Sequence, residues 1–224
     1  MAEIKLQCPI RSAKYFGWQH ILKDLGDFKK CISQKFGENP DIYAWLGIQG
    51  HNGLDIPYAD GTEVYASHDG VIEFAGADSY TNGPAGLGIV LKTQDYKTIY
   101  WHLLEFKVSP GQQVKQGQLI ALGDNTGFST SSHLHFGLKL LDSNGNVLNR
   151  DNGYDGAQDS LPFIFWPEGG VVMDKEFITD YYLSAFFRLP NDGELNYWLG
   201  KPHIEIVRAT LRDRKVLLDN NQPK

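Results

Sequence analysis

Two histidines lie two residues apart in residues 131–136, which read Ser-Ser-His-Leu-His-Phe. Because polar and apolar residues alternate here, the pattern predicts a β-strand. Side chains alternate between the faces of a strand, so we expect His133 and His135 on one face, with Leu134 and Phe136 directed to a core. Imidazole nitrogens bind transition metals and exchange protons near neutral pH, so the pair could form a metal site with an acid–base partner. A histidine-rich surface strand is the alternative.

A second pair, His51 and Asp55, lies in a glycine-punctuated loop over residues 47–56 that runs into a predicted strand. A spacing of four residues places both side chains on one face, whether the backbone is extended or helical. Without other support, a loop histidine beside a solvated aspartate would account for this pair.

Three further histidines are less informative by themselves. His102 is predicted within a strand, and alone it would be read as a partly buried histidine with a hydrogen-bond partner. His20 and His68 have no partner at a metal-binding spacing, so we predict that both lie on the surface.

The elements that must position these side chains are predicted to be short strands. Between residues 62 and 122, β-branched or aromatic runs alternate with turn sequences, and no repeated strand-helix alternation supports a parallel sheet. The sequence therefore predicts a mainly β fold built from antiparallel sheets. The runs are 62–66, 71–75, 88–93, 97–103 and 118–122.

Length and composition bound the possible functions. The 224 residues are 42% hydrophobic, enough for one full core and a small second unit. A formal net charge of −6 leaves no basic patch for a nucleic-acid backbone, and no apolar run is long enough for membrane insertion. The first residues lack the features of a signal peptide, so we expect synthesis in the cytoplasm. Cys8 and Cys31 are compatible with either a disulfide or free thiols.

The domain organisation follows from changes in pattern. Residues 1–35 are interpreted as an irregular lead-in and residues 36–167 as the main domain, followed by a hinge at 168–170. Apolar residues at helical spacing then predict a small appendage of three helices over residues 171–224. In the second of these helices, which ends near Trp198, Asn191 and Glu194 are predicted to form a capping pair.

Four short motifs follow one another along the chain. They are Gly-His-Asn-Gly-Leu-Asp-Ile at 50–56, Tyr-Trp-His-Leu at 100–103, Gly-Gln-Gln-Val-Lys-Gln-Gly-Gln at 111–118 and Ser-His-Leu-His-Phe at 132–136. Together they resemble the lysostaphin/LytM family of zinc endopeptidases, in the family's order, over about residues 36–162. The resemblance implies an antiparallel β-sandwich peptidase domain with a groove. It also implies cleavage of stem peptides or cross-bridges in bacterial peptidoglycan.

The resemblance also implies roles for individual residues. Matched by motif, His51, Asp55 and His135 would be the ligands of Zn²⁺. His102 and His133 would be the catalytic pair that does not bind the metal.

These roles agree with the chemistry of the residue types. Two histidines and one aspartate leave a four-coordinate zinc one open position for water, whose pKa zinc lowers to about 7. Two further histidines could position that water, accept its proton and stabilise the oxyanion. No H-E-x-x-H helix supplies a glutamate base. Tyr43 and Tyr58 are nearest in sequence to the first motif, and assistance by either at the oxyanion is left open.

Two other function classes compete with an active enzyme. A non-catalytic regulator of other wall hydrolases would share the fold, but such regulators lose zinc ligands, and none is lost here. Residues 108–117 resemble half of a biotinyl or lipoyl hairpin, yet no convincing modifiable lysine lies at a hairpin tip. We therefore predict a peptidoglycan endopeptidase, most simply a phage endolysin or virion-associated lysin. Such a protein would reach the wall through holin-mediated release, virion delivery or lysis.

Overall fold

The computed structural model describes residues 3–15, 18–78, 85–167 and 191–198. Contacts within the chain divide it into two compact units, Met1–Trp166 and Pro167–Lys224. The candidate site residues all lie in the first unit.

The described elements are mostly short strands. The strands are β1 (Leu6–Gln7), β2 (Ser12–Tyr15), β3 (Trp18–Ile21), β4 (Leu54–Pro57), β5 (Glu63–Tyr65), β6 (Gly70–Ala77), β7 (Leu87–Lys92), β8 (Tyr96–Trp101), β9 (Leu103–Phe106), β10 (Gln113–Val114), β11 (Leu119–Gly123), β12 (His133–Leu140), β13 (Ala157–Gln158) and β14 (Ile164–Phe165). The helices are α1 (Leu25–Cys31), α2 (Pro40–Tyr43) and α3 (Asp192–Trp198), with 3₁₀ helices at Ala44–Leu46 and Leu161–Phe163.

Two antiparallel sheets form the body of the first unit. Seven strands form the larger sheet, in the order β10-β6-β7-β8-β12-β13, with β4 also paired to β12. The smaller sheet has the order β5-β11-β9. Residues of both sheets, such as Ile89 and Ile120, belong to one buried hydrophobic cluster. The predicted mainly β fold with antiparallel sheets is confirmed.

Strand β12 pairs with three strands of the larger sheet, β4, β8 and β13, and carries two of the candidate histidines. It pairs with β4 on one side, where His135 lies opposite Asp55, and with β8 on the other, where His135 lies opposite Trp101. Leu134 and Phe136 are fully buried, as the alternation predicts. The pairing of β4 with β12 therefore brings together two motifs that are 80 residues apart in the chain.

The interpretation of residues 1–35 as an irregular lead-in is wrong. This stretch contains β1, β2, β3 and α1, and Leu6, Ile10 and Phe28 are fully buried in the common core. At the start of α1, the Asp24 side chain accepts a hydrogen bond from the Asp27 N–H. The strands are too short for their period to be visible in sequence, and their stability comes from tertiary packing.

The strand runs predicted between residues 62 and 122 are confirmed, with one exception at His102. This residue lies between β8 and β9 and adopts a φ of 66°. A left-handed conformation is costly for a residue with a Cβ, and it is commonly retained at functional sites. The prediction that His102 lies within a strand is wrong, because β8 ends at Trp101 and β9 begins at Leu103. A break of one residue does not interrupt the apolar pattern on either side, so nothing in the sequence indicates it.

The prediction for His20 is confirmed, since it is exposed, whereas the surface prediction for His68 is wrong. His68 Nδ1 lies 2.8 Å from the Asp69 carbonyl oxygen and Nε2 lies 2.9 Å from the Thr98 hydroxyl. The Tyr100 hydroxyl lies 3.0 Å from that of Thr98 and accepts a hydrogen bond from the Ser67 N–H. The buried imidazole is thus stabilised by two polar partners inside the sheet.

We expect His68 to make the fold sensitive to acid. Burial lowers its pKa from 6.5 to about 4, so the unfolded chain binds this proton more tightly than the folded chain. Stability should therefore fall as the pH decreases from about 6.5 to about 4, by on the order of 3 kcal/mol. Urea unfolding at several pH values would measure this. In His68→Gln the corresponding part of the pH dependence should disappear, and an unchanged slope would contradict the assignment.

In the second unit, the structure describes Pro167, helix α3 and the residue before that helix. The Asn191 side chain accepts a hydrogen bond from the Glu194 N–H, and the Glu194 carboxylate accepts one from the Asn191 N–H. The predicted capping pair is therefore confirmed. The predicted hinge at 168–170 and the first and third helices of the appendage lie outside the described residues. Within the described part of the chain, we find no helix with the length and apolar character needed to span a membrane.

Candidate metal centre and active site

Three ligand-type side chains converge in the first unit. His51 Nε2 lies 2.9 Å from His135 Nδ1 and 3.0 Å from Asp55 Oδ1, and the distance from His135 Nδ1 to Asp55 Oδ1 is 3.1 Å. The side chains are largely buried, with exposures of 1% for His51, 12% for Asp55 and 14% for His135. The structure thus brings together the three residues that the sequence resemblance implies as ligands.

These distances fit a tetrahedral zinc ion. Zinc–nitrogen and zinc–oxygen bonds of about 2.0–2.2 Å place neighbouring ligand atoms of a tetrahedron about 3.3–3.6 Å apart. The observed distances of 2.9–3.1 Å are somewhat shorter, so the triangle is close in size to one face of such a tetrahedron. The donor set of two imidazole nitrogens and one carboxylate oxygen also suits zinc and leaves a fourth position. The residues present therefore fit the metal.

A glycine makes room for one of the imidazoles. A Cβ atom at Gly53 would lie 2.7 Å from both Cε1 and Nε2 of His135 and 2.8 Å from the Phe136 carbonyl oxygen. Such contacts are too short for any side chain. The glycine in the first motif thus permits close approach of the loop to β12.

Backbone carbonyl groups determine which nitrogen of three histidines is free. A carbonyl oxygen only accepts hydrogen bonds, so the imidazole nitrogen that contacts it must carry the proton. The Nδ1–H groups of His51, His102 and His133 point to the carbonyls of Lys35 at 3.3 Å, Thr126 at 2.7 Å and Ser131 at 2.7 Å, respectively. In the neutral imidazoles, each Nε2 atom therefore keeps its lone pair.

The two predicted catalytic histidines lie beside the ligand cluster. The His102 and His133 ring centroids are 4.5 Å apart, and the centroids of His102 and His135 are 6.3 Å apart. His133 Nε2 lies 3.5 Å from the second carboxylate oxygen of Asp55. Both rings therefore border the cluster of three ligand-type side chains.

Burial and neighbouring charges set the ionisation of the site. Burial, together with nearby His133 and His135, lowers the pKa of His102 to about 4, so this imidazole is neutral at pH 7. Burial would by itself raise the pKa of Asp55, but the contacts of its carboxylate with the His135 and His51 imidazoles outweigh burial and hold this pKa well below its usual range. Burial also lowers the pKa of His135. Asp55 is consequently a carboxylate and His135 favours the neutral form that binds a metal.

The two tyrosines near the first motif differ in position. Tyr43 stacks on His51 with centroids 5.4 Å apart, and its hydroxyl donates to the Gln34 side-chain oxygen. Burial, together with the charge of Asp55, raises the pKa of Tyr43 to about 12. Tyr58 is fully buried and its hydroxyl donates to the His102 carbonyl at 3.3 Å. Of the two, only Tyr43 contacts a candidate ligand.

Residues 124–132, which we call the catalytic loop, contribute contacts that the sequence reasoning missed. The Thr126 carbonyl accepts from His102, while the Ser129 hydroxyl lies 3.1 Å from His133 Nδ1 and donates to the Ser131 carbonyl. These contacts involve backbone atoms or small polar side chains, which leave no distinctive spacing in a sequence. The cluster of serine and threonine between β11 and β12 was the available signal.

Comparison with known proteins relates this geometry to a family. Residues 49–150 match the model of the family described as Peptidase family M23. All five candidate site residues lie inside the matched segment.

Sequence relatives are found in several bacterial genera, among them Staphylococcus and Vibrio. Glycyl-glycine endopeptidase ALE-1 of Staphylococcus capitis is 38% identical over 147 residues, which are 65% of this chain and 36% of that protein. Peptidoglycan DD-endopeptidase ShyA of Vibrio cholerae is 42% identical over 113 residues, 50% of this chain and 25% of that protein. The chain therefore spans about a third or less of the length of these relatives.

A solved structure is also similar. The catalytic domain of lysostaphin from Staphylococcus simulans is 31% identical, with a TM-score of 0.48 and coverage of 62% of this chain and 93% of that chain.

Proposed function

Residues 49–150 form a domain of peptidase family M23, a family of zinc metallo-endopeptidases, and from this we propose that the protein hydrolyses peptide bonds in bacterial peptidoglycan. The observation that carries the proposal is the convergence of His51 Nε2, Asp55 Oδ1 and His135 Nδ1 within 3.1 Å, beside two histidines with free Nε2 atoms. The name of ShyA, a peptidoglycan DD-endopeptidase, supports the substrate class, and ALE-1 is named a glycyl-glycine endopeptidase.

In this proposal, His51, Asp55 and His135 hold zinc, and His102 and His133 perform proton transfer. Bound zinc supplies Lewis-acid chemistry, since it polarises the scissile carbonyl and lowers the pKa of water to about 7. His102 or His133 would accept the proton of the attacking water at its Nε2 lone pair. The resulting imidazolium can stabilise the oxyanion and then donate its proton to the leaving amine, which balances the hydrolysis of one peptide bond.

The proposal is tested with purified protein and defined peptidoglycans. Mass analysis of the products should show fragments cleaved within the stem peptide or cross-bridge. Prior removal of the metal with a chelator should abolish cleavage, and added zinc should restore it. The alternative, a non-catalytic activator of other wall hydrolases, predicts no fragments from purified protein alone. The intact set of ligand-type side chains favours the enzyme.

The site adjoins an exposed aromatic pair that we propose as part of the substrate-binding surface. Trp45 is 61% exposed and Phe128 is 69% exposed, and their rings meet edge to face with centroids 5.9 Å apart. Trp45 lies two residues after Tyr43, which stacks on His51, and Phe128 precedes Ser129, which contacts His133. The pair therefore extends from the two segments that contact the site histidines, and an exposed apolar patch of this kind commonly marks a binding surface.

We expect Trp45→Ala and Phe128→Ala each to raise KM for a soluble muropeptide about two- to tenfold, with kcat changed little. Loss of one aromatic contact costs about 0.5–1.5 kcal/mol, which corresponds to a factor of about two to ten. Steady-state kinetics would measure the effect. Val71→Ala, which truncates another exposed apolar side chain, is the matched control. Unchanged KM in both aromatic variants would exclude the pair from the binding surface.

A narrower proposal concerns biological context and domain organisation. We propose that the protein acts as a phage endolysin or virion-associated lysin, and that residues 171–224 form a separate helical module after the peptidase domain. Expression with and without a holin would test the first point, because a holin-dependent endolysin lyses its host only when the membrane is opened. Limited proteolysis followed by an activity assay of the N-terminal fragment would test the second.

A further inference from the structure

Thr126 forms hydrogen bonds with His102 and with two strands, β7 and β9. Its carbonyl oxygen lies 2.7 Å from His102 Nδ1. Its hydroxyl accepts a hydrogen bond from the Leu87 N–H at 3.1 Å and donates one to the Leu103 carbonyl at 2.8 Å. The side chain thus ties the catalytic loop to the first residues of β7 and β9.

The peptide group after Thr126 is also held by close packing. Gly86 adopts a φ of +70°, and a Cβ atom there would lie only 2.4 Å from the Thr126 carbonyl carbon and 2.6 Å from the Gly127 nitrogen. The turn before β7 therefore lies directly against this peptide. Together with the two hydroxyl hydrogen bonds, this contact leaves the Thr126 carbonyl little freedom to move.

The orientation of His102 depends on that carbonyl. The His102 backbone has a φ of 66°, and its own carbonyl accepts hydrogen bonds from the Asp124 N–H at 3.0 Å and the Tyr58 hydroxyl at 3.3 Å. These contacts fix the main chain but not the rotation or tautomer of the ring. The hydrogen bond from Nδ1–H to Thr126 is the contact that leaves Nε2 as the unprotonated nitrogen.

We propose that Thr126 is a positioning residue for the peptidase reaction: its hydroxyl locks the catalytic loop so that its carbonyl holds His102 in the Nδ1–H tautomer. The effect inferred for Thr126 on kcat rests on the proposed function, whereas its effect on the tautomer of His102 does not. The hydroxyl acts through His102 and contacts no reacting atom.

The variant Thr126→Val removes both hydroxyl hydrogen bonds while keeping the shape of the side chain. We expect kcat to fall by about 10- to 100-fold, which is less than the loss expected on removing His102 itself. KM should stay within about twofold, and the zinc content should not change. Thr126→Ser retains the hydroxyl and should restore kcat to within a few-fold of the original protein. In a His102→Ala background, Thr126→Val should cause no further loss.

Tautomer measurement separates this inference from the proposed function. In the zinc-loaded full chain, ¹H–¹⁵N correlation spectra of the imidazoles should show His102 as the Nδ1–H tautomer, and Thr126→Val should populate the Nε2–H form. This readout needs no turnover. If the valine variant does not fold, Thr126→Ala, which removes the hydroxyl and the methyl group on Cβ, provides the same comparison. An unchanged tautomer in a folded variant, or an equal loss of kcat in the His102→Ala background, would overturn the proposal.

Discussion

Replacement of Asp55 or His135 by alanine is expected to remove stoichiometric zinc from the protein and to lower peptidase activity by at least about a thousandfold. Each supplies one corner of the 2.9–3.1 Å triangle of ligand atoms. Loss of a ligand should cost more than the roughly 10- to 100-fold in affinity that loss of an outer hydrogen-bond partner costs. The metal contributes several kcal/mol to the transition state, which corresponds to the predicted loss of rate.

Metal analysis after dialysis against a mild chelator measures this effect. His20→Ala is a suitable control because it removes an exposed histidine outside the site. The control should keep one zinc per chain. Full zinc content in Asp55→Ala or His135→Ala would show that the ligand assignment is wrong.

The variants His102→Ala and His133→Ala should behave differently, since they should keep zinc and lose turnover by a factor on the order of a hundred or more. Their Nε2 atoms are free for proton transfer because the Thr126 and Ser131 carbonyls hold the Nδ1–H groups. Burial, together with nearby His133 and His135, lowers the pKa of His102 to about 4, so its imidazole is unprotonated at pH 7 and its Nε2 atom has a lone pair.

Zinc content and kcat measured on the same samples separate the two classes of histidine. Circular dichroism would confirm that each variant is folded. Loss of zinc from folded His102→Ala or His133→Ala would place that histidine among the ligands. Unchanged turnover in both variants would contradict their proposed role in proton transfer.

The core of the fold could be predicted from sequence because its signal is local. The alternation in β12 correctly placed His133 and His135 on one face, and it placed Leu134 and Phe136 in the core. The pairing of β4 with β12 is not local, and the histidines and aspartate of the two motifs were grouped through the resemblance of the four motifs to the lysostaphin/LytM family. The candidate site was therefore found from motifs of distinctive residue type and spacing together with that resemblance.

What could not be predicted depends on tertiary contacts. Burial of His68 requires the Thr98 hydroxyl on a strand 30 residues away, and nothing in its local sequence indicates that partner. The left-handed backbone of His102 is stabilised by hydrogen bonds to its carbonyl from Tyr58 and Asp124. Likewise, Thr126 contacts the His102 ring through its backbone carbonyl. Every residue possesses a carbonyl, so only the structure distinguishes Thr126.

The most direct test of the account is X-ray absorption spectroscopy of the zinc-loaded protein at neutral pH. We predict one zinc per chain with nitrogen and oxygen neighbours at about 2.0–2.2 Å, including two imidazole rings, and no sulfur neighbour. In His135→Ala loaded with excess zinc, the spectrum should show one imidazole fewer. A sulfur neighbour at about 2.3 Å, or an unchanged imidazole count in that variant, would contradict a site formed by His51, Asp55 and His135.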